Sequence, residues 1–456
     1  MQTIEVLLGQ VVSIVWGEYI LIPALALVGI YLSLGLRLMP WRYLGFAIRL
    51  LWRSSKPGSQ GEISPFQALM TALSATIGTG NIAGVATAIY FGGPGAIFWM
   101  WVIALVGMAT KYSEALLAVK FRQVDRNGQY VGGPMYYIKN GLGENWKLLG
   151  GAFALFGMIA AFGIGNMVQS NSVADVLSSA YAIPRSATGF AIALVAGLVI
   201  IGGVRRIADV AGRLVPIMAV SYFVAAITIL IVKVDVVPQA FTTIIEHAFN
   251  GSAANGGFLG ATVWMAVRWG FARGIFSNEA GLGSAAIAHA AAKTNSPVHQ
   301  GMVAMLGTFI DTIIMCTLTG LVIVVTGAWQ SGEQGASMSA LAFSSALGEP
   351  GRHVVSVGLA IFAFTTIIGW SYYGERCAAY LFGVGFIPFY RIVWITAIVF
   401  GAIFKLGLVW AFADLFNGLM ALPNLIALLL LSPVIFAETK NYMRNKQQLA
   451  DLRKET

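Results

Sequence analysis

Long apolar runs, interrupted by charged residues only at intervals, limit this chain to one environment. Stretches such as 95–120, 214–233 and 412–437 are long enough to cross the ~30 Å hydrocarbon core of a bilayer, which takes about 20 residues of helix. Hydrocarbon offers no partner for a free N–H or C=O, so each crossing segment must satisfy its own backbone, which runs of this length do as helices. Composition agrees, with 58% of residues hydrophobic and 10% charged, against about 25% charged in a soluble domain. The expected fold is all-α and polytopic. About eleven helices are predicted, at 17–37, 65–92, 95–120, 149–180, 188–204, 214–233, 258–292, 301–328, 353–383, 391–408 and 412–437. Several exceed the bilayer thickness and require tilt or breaks. The whole of 1–456 reads as one membrane domain. Outer connections at 234–257 and 329–352 are expected to hold short helices, and Gly132-Gly133-Pro134 turns the inner connection 121–148 into an interfacial segment.

The charged residues orient the chain. Basic residues cluster at Arg37 to Lys56, Lys120 to Lys147, Arg205 to Arg213, Lys293, Arg376, Arg391 and the tail from Lys440 to Lys454. Only Arg185, Lys233, Arg352 and Lys405 fall on the other side, out of 28 basic residues, with Lys111, Arg268 and Arg273 inside helices. The positive-inside rule then puts the C-terminus in the cytoplasm and the N-terminus outside. The net charge of +9 has this topological origin, so no nucleic-acid partner is expected, nor an obligatory protein partner. The N-terminal stretch Met1–Trp16 carries Glu5 and no basic residue, unlike a cleaved signal peptide. Cys316 and Cys377 lie in apolar segments as small hydrophobes. His247, His289, His299 and His353 have no metal-ligand spacing, which excludes a metal enzyme.

Two segments break the apolar pattern. One is Ser74-Ala75-Thr76-Ile77-Gly78-Thr79-Gly80-Asn81-Ile82-Ala83-Gly84, and the other is Trp269-Gly270-Phe271-Ala272-Arg273-Gly274-Ile275-Phe276-Ser277-Asn278-Glu279-Ala280-Gly281. Glycine weakens a helix and admits a close ligand, although Gly80-x-x-x-Gly84 is also a helix-packing motif. The two segments fall in the second and seventh predicted helices. Two five-helix halves, 64–234 and 258–437, therefore each open with an interrupted helix. Residues 17–63 add one helix and a cytoplasmic connection in front, and 438–456 form the basic tail. An odd number of helices per half makes the halves insert in opposite senses, the inverted repeat of LeuT-type secondary transporters. Half-helix N-termini attract a carboxylate. Half-helix C-termini present carbonyls to Na⁺ or to an ammonium group.

These two segments, together with Gly93-Pro94-Gly95, Gly132-Gly133-Pro134-Met135-Tyr136-Tyr137 and Gly369-Trp370-Ser371-Tyr372-Tyr373-Gly374-Glu375, resemble the alanine/glycine:cation symporter family, also called sodium:alanine symporters. The resemblance runs from about residue 15 to 440. It implies a LeuT-type core, Na⁺-coupled import of alanine (L or D) and glycine across a prokaryotic inner membrane, and no organic cofactor. It implies that Gly78, Thr79, Gly80 and Asn81 offer backbone N–H groups to the substrate carboxylate. Phe271, Ala272, Gly274 and Ile275 would form the wall of the second break, with carbonyls open to the ammonium. Asn166, Gln169 and Trp370 would complete the pocket, Trp370 as lid and size limiter. The resemblance also places Na⁺ between the carbonyls of Ser74 and Ile77 and the hydroxyls of Thr365 and Thr366.

Other readings of the same residues stand beside these. Gln169 can serve interhelical hydrogen bonding, and a threonine commonly bonds its own helix at i−4. Arg273 and Glu279 read as a gate or a structural ion pair. A channel would need a continuous polar stripe or filter loop. An enzyme would need a nucleophile motif around Ser284, His289 and Asp311, and none surrounds them. No P-loop marks a pump. Within secondary transport, the alternative is a proton-coupled carrier of a small metabolite.

Overall fold

The computed structural model describes residues 2–17, 20–52, 58–252, 260–404 and 407–455. Arg53, Lys56, Lys405 and the first residues of the predicted 258–292 helix lie outside them. The described residues form α1 (Gln2–Val15), α2 (Leu21–Gly35), α3 (Pro65–Thr76), α4 (Val85–Gly92), α5 (Gly95–Lys120), α6 (Lys147–Phe162), α7 (Val168–Tyr181), α8 (Arg185–Ile200), α9 (Gly203–Val232) and α10 (Val237–Asn250). They continue with α11 (Val263–Asn278), α12 (Ser284–Ala290), α13 (Pro297–Thr308), α14 (Thr317–Val325), α15 (Gly335–Leu347), α16 (Glu349–Phe382), α17 (Ile387–Ile403), α18 (Gly407–Leu430) and α19 (Ser432–Glu455). Among the described residues the strands are confined to one hairpin, Gln123–Val124 with Tyr130–Val131.

Each predicted span corresponds to a helix or an interrupted helix pair. Among the described residues seven helices are long and apolar enough to cross a membrane, or eight when α3 and α4 count as one span bent by 52°. The shorter α2 and α8 are apolar, and the α11–α12 pair is buried from Gly274 to Ala290. Solvent-like packing rules are inverted at the periphery: Leu194, Leu198, Ile217 and Ile231 are more than half exposed, as lipid-facing side chains should be. Short helices do fill the predicted outer connections, as α10 and α15. The N-terminal helix α1 and the helical tail α19 are elements that the span prediction did not include.

The core helices approach closely where side chains are smallest. A Cβ on Gly80 would stand 3.2 Å from Ser277 Cα, bringing the α3–α4 break against the end of α11. A Cβ on Gly369 would stand 2.7 Å from Ser74 Oγ, setting α16 against α3. At one end of α16, Arg376 bonds Asp125 at 3.3 Å and Glu375 at 2.7 Å, and Arg391 bonds Glu375 at 2.6 Å. This cluster ties the 123–131 hairpin to α16 and α17.

Candidate substrate and ion site

The first break begins at Ile77, whose extended backbone (ψ 96°) ends α3. Gly78 N–H donates to Asn81 Oδ1 at 3.0 Å rather than closing an i−4 bond to the Ser74 carbonyl. Helix resumes as a π-helical turn over Gly80–Gly84, a form that concentrates at functional sites. Asn81 is anchored in turn, its Nδ2 donating to Asp311 Oδ1 at 2.7 Å and to the Asp311 carbonyl at 3.1 Å. The Asn81 side chain therefore shapes the break from behind. Its partner Asp311 sits in a second π-helical stretch, Phe309–Cys316, where Thr312 Oγ1 donates to Asp311 Oδ2 at 2.8 Å and accepts from Asn278 Nδ2 at 3.0 Å. One polar chain thus links the first break to the end of α11.

The second break lies elsewhere than predicted. α11 runs uninterrupted through Phe271, Ala272, Gly274 and Ile275 to Asn278, so these residues do not offer free carbonyls at a break. The Ile275 carbonyl accepts from Glu279 N–H at 2.8 Å. The glycines here serve packing: a Cβ on Gly274 would meet Ile103 at 2.8 Å, and one on Gly270 the Ala96 carbonyl at 2.5 Å. Phe271 likewise turns to α5, edge-on to Trp99 at 5.9 Å. Ala272 lines a separate groove with Trp16, Arg273, Phe276 and Asp414.

The chain unwinds instead at Glu279–Gly283, where Glu279, Gly281 and Gly283 all take positive φ (56°, 92° and 80°). A buried carboxylate holds this segment. Glu114 Oε1 accepts from Gly281 N–H at 3.0 Å, Gly283 N–H at 3.1 Å and Asn424 Nδ2 at 2.7 Å. Tyr137 donates to Asn424 Oδ1, and Lys111 Nζ donates to the Asn278 carbonyl at 2.8 Å. Lys111 and Glu114 escaped the sequence reading as site-supporting residues. Their signal was two charges in the middle of the apolar 95–120 run, which are expensive there and functional by default.

Between the two breaks lies a small cavity lined by Ala75, Thr76, Gly78, Thr79, Gly80, Ile164, Gln169, Phe276, Glu279, Thr366 and Trp370. It offers about 10 Å³ to the centre of a water-sized sphere, about enough for one water. Trp370 is 1% exposed, and its Nε1 donates to Glu279 Oε1 at 2.8 Å. Gly165 makes room for it, since a Cβ there would overlap the Trp370 side chain. Gln169 Nε2 bonds the Ile164 carbonyl at 2.9 Å, while its Oε1 and Thr79 Oγ1 are buried without a partner.

Besides the four residues of α11, the predicted Ser74, Ile77, Asn81, Asn166 and Thr365 are not part of the cavity lining. Asn166 donates to the Trp394 carbonyl at 2.8 Å, facing α17. Thr365 bonds the Phe362 carbonyl at 2.8 Å and turns to Met218 Sδ at 3.7 Å. Ser74 Oγ donates to the Thr71 carbonyl at 2.8 Å, within its own helix. Thr366 Oγ1 also bonds the Phe362 carbonyl, at 3.0 Å, but faces Gly78. The Ser74 and Ile77 carbonyls and the Thr366 hydroxyl are oxygen donors of the kind that Na⁺ takes at an unwound helix. Arg273 and Glu279 do not pair. Arg273 lies 5.3 Å over the rings of both Trp269 and Phe276, and Glu279 faces Trp370 and Ser284. Ser284, His289 and Asp311 likewise have separate partners, in Glu279, Gln300 and Asn81, and form no triad.

The chain matches the model of the sodium:alanine symporter family over residues 1–455. It is 51% identical over 443 residues to the "Sodium/alanine symporter AgcS" of Methanococcus maripaludis, covering 96% of each chain. It is 39% identical over 449 residues to the "Probable sodium/glutamine symporter GlnT" of Bacillus subtilis, covering 98% of this chain and 92% of that one. Among solved structures it is similar to MhsT in complex with L-phenylalanine, at a TM-score of 0.58 and 15% identity, over 82% of this chain and 90% of that one. That likeness is one of fold, the LeuT type.

Proposed function

The chain belongs to the sodium:alanine symporter family, and on that premise we propose that it imports a small neutral amino acid, alanine or glycine, by Na⁺-coupled alternating access. The observation that carries this reading is the cavity between two unwound segments, ringed by Gly78, Gln169, Glu279, Thr366 and Trp370. The cavity must widen to admit an amino acid, since it now holds about one water, and its small-residue lining beside a buried indole favours a small side chain. Broken helices meeting at such a pocket are the ligand-binding arrangement of inverted-repeat transporters. The halves 64–234 and 258–437 would be the moving units. The bilayer is a prokaryotic inner membrane, with the N-terminus outside and the basic C-terminal tail in the cytoplasm.

Na⁺ is the coupling ion in this reading. The Ser74 and Ile77 carbonyls and the Thr366 hydroxyl would bind it, beside the substrate but not through it. The carboxylate of the amino acid would meet the N–H groups of Thr79 and Gly80 at the head of the resumed helix. The helix dipole and unpaired N–H groups favour negative charge there.

The two threonines separate this reading from a purely structural one. Thr366→Val is expected to raise the Na⁺ concentration needed for half-maximal alanine binding about tenfold, the loss of about 1.4 kcal/mol that one polar contact to a charged ligand can supply. Thr365→Val, whose hydroxyl faces Met218, is expected to leave it within about twofold, under roughly 0.5 kcal/mol. The check is equilibrium binding of labelled alanine to purified protein across a Na⁺ titration. Equal effects of both substitutions, or none from either, would remove Thr366 from the ion site.

A further inference from the structure

The cavity wall carries a buried carboxyl group that enters no ion pair among the described residues. Glu279 is 2% exposed and held in left-handed backbone, and its carboxylate lines the cavity. Its Oε1 accepts from Trp370 Nε1 at 2.8 Å and its Oε2 from Ser284 Oγ at 2.5 Å. A carboxylate has about four lone-pair sites, so acceptor capacity remains. No ion pair among the described residues includes Glu279. Arg273, which stands nearest in sequence, is committed to two aromatic faces. Lys111 is buried and donates to the Asn278 carbonyl, and it is the one cation among three buried carboxylates, Glu114, Glu279 and Asp311. Asp311 accepts from Asn81 and Thr312 on its two oxygens, and Glu114 accepts from Gly281 N–H, Gly283 N–H and Asn424 on Oε1 while its Oε2 is buried without a partner. Glu279 alone of the three borders the cavity.

Ionising a carboxyl group in a low-dielectric interior is costly, and a cation beside it offsets that cost, so a cavity bordered by one favours a cationic occupant. Two buried acceptors without partners, Gln169 Oε1 and Thr79 Oγ1, line the same space. We propose that Glu279 is a specificity-determining residue whose carboxylate, with Gln169 Oε1 and Thr79 Oγ1, receives the ammonium group of the substrate. The site then selects small compounds bearing a primary ammonium and rejects acids of the same shape that lack one. This inference rests on the reading of the cavity as the substrate site. It adds the group that reads the amine and a role for the second break, which presents Glu279 because the segment unwinds there.

Glu279→Gln tests it. The glutamine keeps an oxygen to accept from Trp370 and removes the charge, so a merely structural Glu279 predicts near wild-type behaviour. Receipt of the ammonium predicts alanine affinity weakened about 30-fold or more, the range seen when one member of a buried charged contact is lost. The measurement is labelled-alanine binding to full-length protein at saturating Na⁺, with Trp370→Phe as the control for loss of the indole bond alone. Unchanged alanine affinity in Glu279→Gln overturns the proposal. So does a loss that higher Na⁺ fully restores, which would give Glu279 to the ion. A second measurement needs no variant: on wild-type protein, lactate and propionate are expected to compete at least 100-fold more weakly than alanine, by the several kcal/mol a missing partner costs a polar site. Equal competition by lactate overturns the proposal without reference to folding. Wild-type protein that binds no alanine at all would instead refute the function on which the inference rests.

Discussion

Gly78→Ala is expected to abolish alanine binding while leaving the protein folded. Gly78 has no positive φ, so alanine meets no backbone strain there. Its methyl would stand 2.5 Å from Thr366 Oγ1 and 3.6 Å from Gln169 Oε1. Relieving the first contact requires Thr366 to rotate away from its bond to the Phe362 carbonyl, which dismantles the proposed ion site. The methyl also takes the room that the substrate needs, and so small a cavity has no slack to repack. Overpacking alone costs about 1–3 kcal/mol, and direct occlusion adds to it. The check is a pair of measurements on purified protein: thermal melting close to wild type, with labelled-alanine binding reduced to background. Binding within a few-fold of wild type would place the substrate away from the first break.

Glu114→Ala is expected to have the largest effect on stability. The carboxylate is 0% exposed and receives Gly281 N–H, Gly283 N–H and Asn424 Nδ2 on one oxygen. Its removal leaves two backbone donors of an unwound segment without partners where water is scarce, and frees Lys111 from a nearby counter-charge. Losing one partner from a buried charged cluster costs about 3–5 kcal/mol. Glu114→Gln, which keeps an acceptor oxygen, is expected to lose clearly less. Melting curves of the two variants in the same detergent read the difference. An alanine variant that melts with the wild type would mean that the second break holds itself open without Glu114.

The two breaks differed in how far their positions could be read from residues alone. At Gly78–Asn81 the glycines are the break: Ile77 turns out of the helix and Gly78 N–H leaves the ladder for Asn81. Trp269–Gly281 has glycines of two kinds. Gly270 and Gly274 let α11 lie against α5, as small residues do between membrane helices, and only Gly281 and Gly283 interrupt the chain. Periodicity cannot separate these uses. The polar run Ser277-Asn278-Glu279 just before Gly281 marks the true interruption, because polar groups in lipid-embedded helices need a cavity or a partner. Gln169 and Asn166 make the same point. Both are buried amides in the same helix system, yet Asn166 turns to Trp394 and Gln169 borders the cavity. Which face an amide takes depends on the π-helical turn Gly163–Met167, which shifts the register between them. Helical class and a polytopic architecture were legible because bilayer thickness and the lack of backbone partners in hydrocarbon dictate long apolar helices.

In the proposed function a Na⁺ gradient drives accumulation of a small amino acid through this cavity. Uptake of labelled alanine into proteoliposomes containing the purified protein tests it most directly, with the gradient imposed from outside. An inward Na⁺ gradient at equal pH is expected to drive alanine above equilibrium, with no accumulation when K⁺ replaces Na⁺. Accumulation in Na⁺-free buffer under an inward proton gradient, to the same level, would contradict the account.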